Sequence, residues 1–522
     1  MSPAPAAGAA PAVNPWLVAV SVMLATFMEV LDTSVANVSL PHIAGSLAAS
    51  TEESLWVLTS YLVANAIILP AAGWLAGTFG RKRLLITCVS IFTIASLAAG
   101  AATSLGMIVV ARILQGLGGG ALQPLAQAVL LESFPPAKRG AAMAVYGMGV
   151  VVAPIIGPTL GGWITDNYTW RWIFYINLPV GLLAVLMARA FVEDPPYLKP
   201  TKGLRMDYLG FGFMAIGLAA LQVMLDKGQE EDWFSSHFIQ ALAFITVVGL
   251  LAFVVRELLT AHPIVDLKIF KDRNFALGTL LIAAVGLVLY GTTALLPLFL
   301  QTLMGYPALE SGLAVSPRGI GSLVAMIFVG RLIGRVSTRS LLTFGFCLLA
   351  YATYRFGELN LGIDMRSIAV PNILTGFALG FIFVPLTTTT MGTLPNEQMR
   401  NATGIYNLLR NIGGSVGIAV TTSLVTRRGQ QFQSDLSRNF TASSPVFQDR
   451  LHTLAVALAH SVGAPQALRQ AYGVLYGELS QQASLMAYMS IFRLLCILCI
   501  ICLPSVWIFK AVRAKKGAIH AE

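Results

Sequence analysis

Charge is scarce in this chain of 522 residues: 11% are Asp, Glu, Lys or Arg, while 56% are hydrophobic. A soluble domain carries roughly a quarter charged residues, so a water-exposed globular fold is excluded. Histidine is nearly as rare. The six present (His42, His237, His262, His452, His460 and His520) lie mostly in polar stretches and lack metal-ligand spacing. No Gly-x-x-x-x-Gly-Lys-Ser/Thr phosphate loop occurs, which argues against a nucleotide-driven pump. Of five cysteines, Cys496, Cys499 and Cys502 sit at i, i+3, i+6 of an apolar run without a histidine beside them. They read as small hydrophobes rather than a redox or metal cluster. These shortages leave no catalytic residues, no metal site and no enzyme cofactor to assign, and the chain is not expected to be an enzyme.

What is abundant is long apolar sequence. Fourteen stretches of about 20 residues can be counted, from Trp16–Leu40 to Leu485–Phe509, with Tyr208–Leu225 and Leu341–Phe356 the weakest. The expected fold class is an all-α membrane protein. The net charge of +10 invites a nucleic-acid reading, but its placement argues against one. Lys and Arg gather in alternate loops: Arg81-Lys82-Arg83, Lys138-Arg139, Lys199 to Arg205, Lys268 to Arg273 and Arg331 to Arg339, then again in the tail from Lys510. This is the positive-inside pattern, which puts both termini in the cytoplasm. Residues 1–15 are Ala/Pro-rich, lack the basic start of a signal peptide, and read as a disordered cytoplasmic tail. Residues 511–522 form a second one.

The chain also repeats itself. Gly73-x-Leu75-x-Gly77 recurs as Gly330-x-Leu332-x-Gly334, Gly157-xxx-Gly161 as Gly413-xxx-Gly417, and Pro41 as Pro297, all at an offset of about 256 positions. Two related six-helix halves, 16–195 and 274–510, are expected, with two extra spans in 206–260 between them. Residues 261–273 mix apolar and charged side chains like a helix lying on the membrane surface. A long hydrophilic stretch, 427–484, with weakly helical runs at Leu451–Ala459 and Ala467–Leu479, joins the last two spans on the outer side and is either passive or a docking surface.

Within the apolar spans a few residues stand out. Glu29 and Asp32 are three apart on one helix face, and each charge at mid-membrane costs about 2.5–3.5 kcal/mol. Arg112 is a candidate cation for Asp32. The pair reads either as a proton-coupling site, with Glu29 as a second acid, or as a permanent buried pair that fixes helix packing. Arg410 is a charge of the second half that pairs with an acid, attracts an anion or packs helices. Asn37, Gln115 and Gln123 either contact substrate or bridge helices. Tyr146, Tyr290 and Tyr406 are candidates for a polyspecific apolar pocket. Gly157, Pro158, Gly161 and Gly162 interrupt a charge-free helix, as a hinge or seal between halves or as close packing of small residues.

In order along the first half, these residues resemble a known family. Leu31-Asp32-Thr33-Ser34 through Leu40-Pro41, Arg112-x-x-Gln115-Gly116, Gly157-Pro158-x-x-Gly161-Gly162 and Trp170-Arg171-Trp172 through Asn177 resemble the motifs of the major facilitator superfamily. The match is to the fourteen-span drug:proton antiporters of the EmrB/QacA type. The loop after the second span departs from the superfamily pattern, with Gly77 and Thr78 where an acid and an arginine are usual. The resemblance implies a major facilitator fold of two six-helix halves plus two central helices. It also implies proton-coupled multidrug efflux from a bacterial inner membrane, driven by the proton gradient, with protons, membrane lipid and small hydrophobic or amphipathic substrates as partners. A periplasmic adaptor protein and an outer-membrane channel would complete a tripartite system. A proton-independent facilitator or a nutrient or lipid transporter of the same fold is the alternative, and the compounds carried stay open between cationic and acidic lipophiles.

Overall fold

Apolar sequence in a bilayer has no water to satisfy its backbone, so it must close its own hydrogen bonds as helix. The computed structural model describes residues 14–135, 138–194, 207–261, 263–438, 440–441 and 443–510. The two tails (except 14 and 15) and the basic link holding Lys199, Lys202 and Arg205 lie outside them. The first half comprises α1 (Pro15–Ser46), the one-turn α2 (Thr51–Ser54), α3 (Trp56–Phe79), α4 (Arg81–Gly100), α5 (Leu105–Gly119), α6 (Leu122–Ser133), α7 (Arg139–Asn167), the one-turn α8 (Trp172–Tyr175) and α9 (Asn177–Phe191). The extra pair is α10 (Tyr208–Lys227) and α11 (His237–Leu259). The second half comprises α12 (Arg273–Leu298), α13 (Ala308–Val315), α14 (Pro317–Leu332), α15 (Thr338–Phe356), α16 (Met365–Met391), α17 (Met399–Ser437), α18 (Pro445–Val462) and α19 (Ala464–Ile508).

Among the described residues 13 helical stretches are long and apolar enough to cross a membrane. The α15 helix, 19 residues long, falls short of that mark; counted with them it gives the fourteen read from the sequence. In the first half α1 packs on α7 and α9, and α4 on α5 and α9. In the second, α12 packs on α17, α14 on α16, and α15 on α16 and α19. The α10–α11 hairpin packs chiefly on itself and touches the rest through α3 and α17.

The halves meet where small residues let them. At the end carrying the basic loops, a Cβ on Gly73 would lie 3.0 Å from the backbone of Asn401, and one on Gly140 would lie 2.3 Å from Ile333. Such contacts shut the basic end. Towards the far end a Cβ on Gly312 would reach Pro158 at 4.0 Å, an ordinary van der Waals contact.

One expectation is corrected. The stretch 427–484 is not a loop: α17 runs on to Ser437 for 39 residues, α19 starts at Ala464 and runs for 45, and α18 bridges them. At 1.5 Å per residue these helices are about 58 and 67 Å long, against an apolar core of about 30 Å. The projecting hairpin closes on its own small core of Leu451, Ala471 and Leu475, and grooves of 560 and 310 Å³ open between α17 and α19 at its foot. Among the described residues of 261–272, the helical element is a 3-10 turn at Leu267–Lys271, between the capping residues Asp266 and Asp272. Ile264, Val265 and Ile269 are buried while Lys268 and Lys271 are exposed, so the segment has one packed face and one charged face.

Candidate functional site

The α1 helix starts on a firm cap, with Asn14 Oδ1 accepting from Trp16 N and Pro15 at the first turn. It carries both acids into the apolar layer, where Asp32 is 1% and Glu29 4% exposed. Three helices converge on Asp32. Arg112, fully buried on α5, pairs through Nη1 with Asp32 Oδ2. Gln115 and Asn177 donate to Asp32 Oδ1 at 2.8 and 2.7 Å. Arg112 is itself braced: Nε donates to Val57 O at 2.9 Å, Gln115 Oε1 accepts from Nη1 at 2.8 Å, and the Tyr61 ring lies 4.3 Å from the guanidinium carbon. Every one of these partners belongs to the first half. A buried ion pair gains stability only when its remaining donors and acceptors are filled; here the carboxylate accepts three hydrogen bonds, while Arg112 Nη2 is left without a hydrogen-bond partner.

Glu29 is built differently. Its Oε1 accepts from Tyr61 Oη at 3.1 Å and Asn65 Nδ2 at 3.2 Å, and its Oε2 accepts from Gln123 Nε2 at 2.7 Å. These donors are uncharged. Gln123 then faces the other way, its Oε1 accepting from Arg410 Nη2 on α17. Glu29, Gln123 and Arg410 thus form one chain of hydrogen bonds across the boundary between halves. A second bridge lies one turn along, where Asn407 Nδ2 donates to Gln127 Oε1 at 2.7 Å. Small residues make the approach possible. A Cβ on Gly116 would stand 2.5 Å from Tyr61 O, and one on Gly119 2.7 Å from Tyr61 Oη.

The Gly-Pro element lies in an unbroken α7. Pro158 has no N–H to give Pro154 O, and Ser34 Oγ on α1 donates to that carbonyl instead, at 3.2 Å. A Cβ on Gly157 would sit 2.4 Å from Ser34 Oγ, and one on Gly161 3.0 Å from Val35 O, whereas Gly162 faces Val38 at 4.0 Å. Gly157 and Gly161 therefore seat α7 directly on α1.

The other candidates are dispersed. Gln115 is engaged with the Asp32 pair, and Asn37 is exposed on α1. Tyr146 and Tyr406 are buried, the latter sharing a hydrogen bond with Thr387 at 3.0 Å. Tyr290 is half-buried against Gly414. Sequence reasoning assigned no role to Tyr61, Asn65, Gln127, Asn177 or Asn407. Their signal was present as uncharged polar residues inside apolar runs, but nothing in the order of residues says which helices meet. At the basic end, Gly77 leaves room for Arg400, whose Nη1 would be 3.0 Å from a Cβ there. The acid of this region comes instead from Asp194, which accepts from Arg81 N and Lys82 N at 2.8 and 3.0 Å. Arg81 pairs with Glu132 at 2.7 Å. Gly80, at φ +83°, makes the turn between α3 and α4 that glycine adopts without strain.

Residues 22–418 match the family model of the Major Facilitator Superfamily. The chain is 38% identical over 495 residues to the multidrug export protein EmrB of Escherichia coli K12, covering 95% of each. It is 39% identical over 496 residues to the fatty acid resistance protein FarB of Neisseria gonorrhoeae, covering 94% of this chain and 96% of that one. The fold is similar to the crystal structure of the human organic anion transporter MFSD10, with a TM-score of 0.58 at 13% identity over 93% of this chain and 99% of that one. Fold, motifs and matches agree: the chain belongs to the major facilitator superfamily and is a multi-pass membrane transporter, not an enzyme.

Proposed function

We propose that this protein is a proton-coupled exporter of hydrophobic and amphipathic compounds, working by alternating access in a bacterial inner membrane. The observation that carries the reading is the Glu29–Gln123–Arg410 chain. Glu29 is held only by neutral donors, so taking up a proton leaves no cation stranded. Protonated at Oε2, the carboxyl donates where the carboxylate accepted, and Gln123 turns its amide to meet it. That turn exchanges the oxygen offered to Arg410 for an NH₂ group, and the bridge between halves is lost. Proton binding from the far side is thereby tied to opening of the basic end, and proton release to its closure. Asp32 plays the complementary part: bound to Arg112, it anchors α1, α5 and α9.

The basic loops set the closed end at the cytoplasm, with both termini on that side. The likeness to EmrB supports export through a periplasmic adaptor and an outer-membrane channel, with the α17–α19 hairpin as the docking surface. Polar and aromatic groups near the bridge, among them Tyr146, Tyr290, Tyr406 and Gln115, line the route that substrate takes when the halves part. The proton gradient is the only energy source required.

The test is compound-dependent proton movement in vesicles holding the purified protein, wild type against Glu29→Gln and Asp32→Asn. Proton movement in wild type that disappears in Glu29→Gln, with compound binding retained, supports the assignment. Movement that survives in Glu29→Gln but not in Asp32→Asn returns coupling to Asp32. Compound flux in wild type with no proton movement makes the protein a facilitator.

A further inference from the structure

Arg318 takes no part in the network around Glu29 and Asp32. It is the second residue of α14, just past the break from α13 at Ser316. It is 3% exposed. Its Nη1 donates to Thr293 Oγ1 on α12 at 2.6 Å. Its Nε and Nη2 have no hydrogen-bond partner, and among the described residues no carboxylate pairs with it. Buried polar groups are as a rule hydrogen-bonded, and charges inside a membrane are paired or lie on a substrate path.

The two free positions are adjacent. Nε–H and the neighbouring Nη2–H lie along one edge of the planar guanidinium, and that edge matches both oxygens of a carboxylate. The same chain displays this fit elsewhere: Arg256 Nε and Nη2 donate to Asp207 Oδ2 and Oδ1 at 2.7 and 3.2 Å. Arg318 is held in place for such a contact. Thr293 fixes the opposite side of its guanidinium, and its backbone is clamped to α16, where a Cβ on Gly376 would lie 1.8 Å from Arg318 O. The α13 segment before it lies at the seam between halves, with Gly312 facing Pro158 of α7.

We propose that the Nε/Nη2 edge of Arg318 binds the carboxylate of lipophilic carboxylic acids on the transport path, reached when the far ends of the two halves separate. This gives the export reading a substrate class and rests on it. Arginine is required for the paired contact, because lysine offers a point charge without the fork.

Equilibrium binding of radiolabelled 1-naphthoate and 1-naphthamide to the full-length protein in phosphatidylcholine nanodiscs tests the site without any proton gradient. Wild type is expected to prefer the acid by about tenfold or more, the range of a charge-assisted hydrogen-bonded pair. Arg318→Gln is expected to lose that preference, and Arg318→Lys to keep only part of it. Thr293→Val removes the hydroxyl that holds Nη1 and is expected to blunt the preference, giving a milder variant should Arg318→Gln fail to fold. Wild type that binds acid and amide alike overturns the proposal, as does a preference that survives in both Arg318→Gln and Thr293→Val. Displacement of naphthoate by glycerol phosphate at concentrations where acetate does not displace it would give the site to a phosphate headgroup, and that too overturns it. Since no gradient is applied, a failure of proton coupling in vesicles leaves this result standing. Loss of the acid preference would leave the coupling experiment untouched.

Discussion

Asp32 and Glu29 are three residues apart on one helix, yet neutralising each has a different consequence. Asp32→Asn leaves Arg112 buried without its counter-charge, and removing one partner of a buried pair destabilises by about 3–5 kcal/mol. A lowered thermal unfolding midpoint in detergent is expected, with Glu29→Gln near wild type. Equal midpoints for the two variants would remove the distinction between anchor and switch. A smaller effect is expected at Ser34. Ser34→Ala strips Pro154 O of its donor, at about 1–3 kcal/mol for an unpaired buried acceptor, and the same unfolding measurement reads it. The acids themselves were legible in the sequence because charge is so rare in apolar spans. Their surroundings were not, since Asp32 meets Asn177 across 145 positions and Glu29 meets Asn65 across 36. Hydropathy marks a helix, not its neighbours. Arg318 was not singled out in the sequence although it too stands in an apolar run, and its lack of a partner is a fact of packing.

Among the elements, α7 and the projecting hairpin carry the sharpest expectations. Gly157 and Gly161 leave no room for a side chain against α1, so Gly157→Leu is expected to split α1 from α7 and abolish folded protein at the membrane. A Gly157→Leu variant of normal yield and unfolding midpoint would contradict close packing as the role of this glycine. The hairpin stands clear of the bundle on its own core. Replacing residues 438–470 with a short Gly/Ser linker is expected to leave compound binding intact while removing capture of the purified periplasmic adaptor. Unchanged adaptor capture would move docking to another surface. The membrane passages were readable from hydropathy alone, down to the weak α15. The hairpin was legible only in part: Leu451–Ala459 and Ala467–Leu479 fall inside α18 and α19, but polar residues such as Arg427, Gln430 and Gln433 continue α17 without any apolar signal. In 261–273 the alternation of apolar and charged residues was legible, while the capping by Asp266 and Asp272 that shortens the helix to one 3-10 turn was not.

At the scale of the whole molecule, the basic end is closed by backbone-to-backbone approach of α3 and α17. A side chain at Gly73 would meet the Asn401 backbone at 3.0 Å, so Gly73→Leu is expected to hold that end apart and to cut compound export while the unfolding midpoint stays near wild type. Export at the wild-type rate by Gly73→Leu would show that this contact does not have to close in the cycle. The two-half plan could be read from the repeated glycine motifs. The position of the α10–α11 pair beside α3 and α17 could not, because a central place in the chain says nothing about a place in the bundle.

One property of α17 ties these scales together. The helix that presents Arg410 to Gln123 continues without interruption to Ser437 in the projecting hairpin. From Arg410 to Ser437 the axis runs about 40 Å, so a tilt of about 10° at the bridge swings the hairpin base by about 7 Å. The molecule therefore carries its own pointer, a lever arm that magnifies a hydrogen-bond exchange at mid-membrane into a displacement that a docked protein can feel.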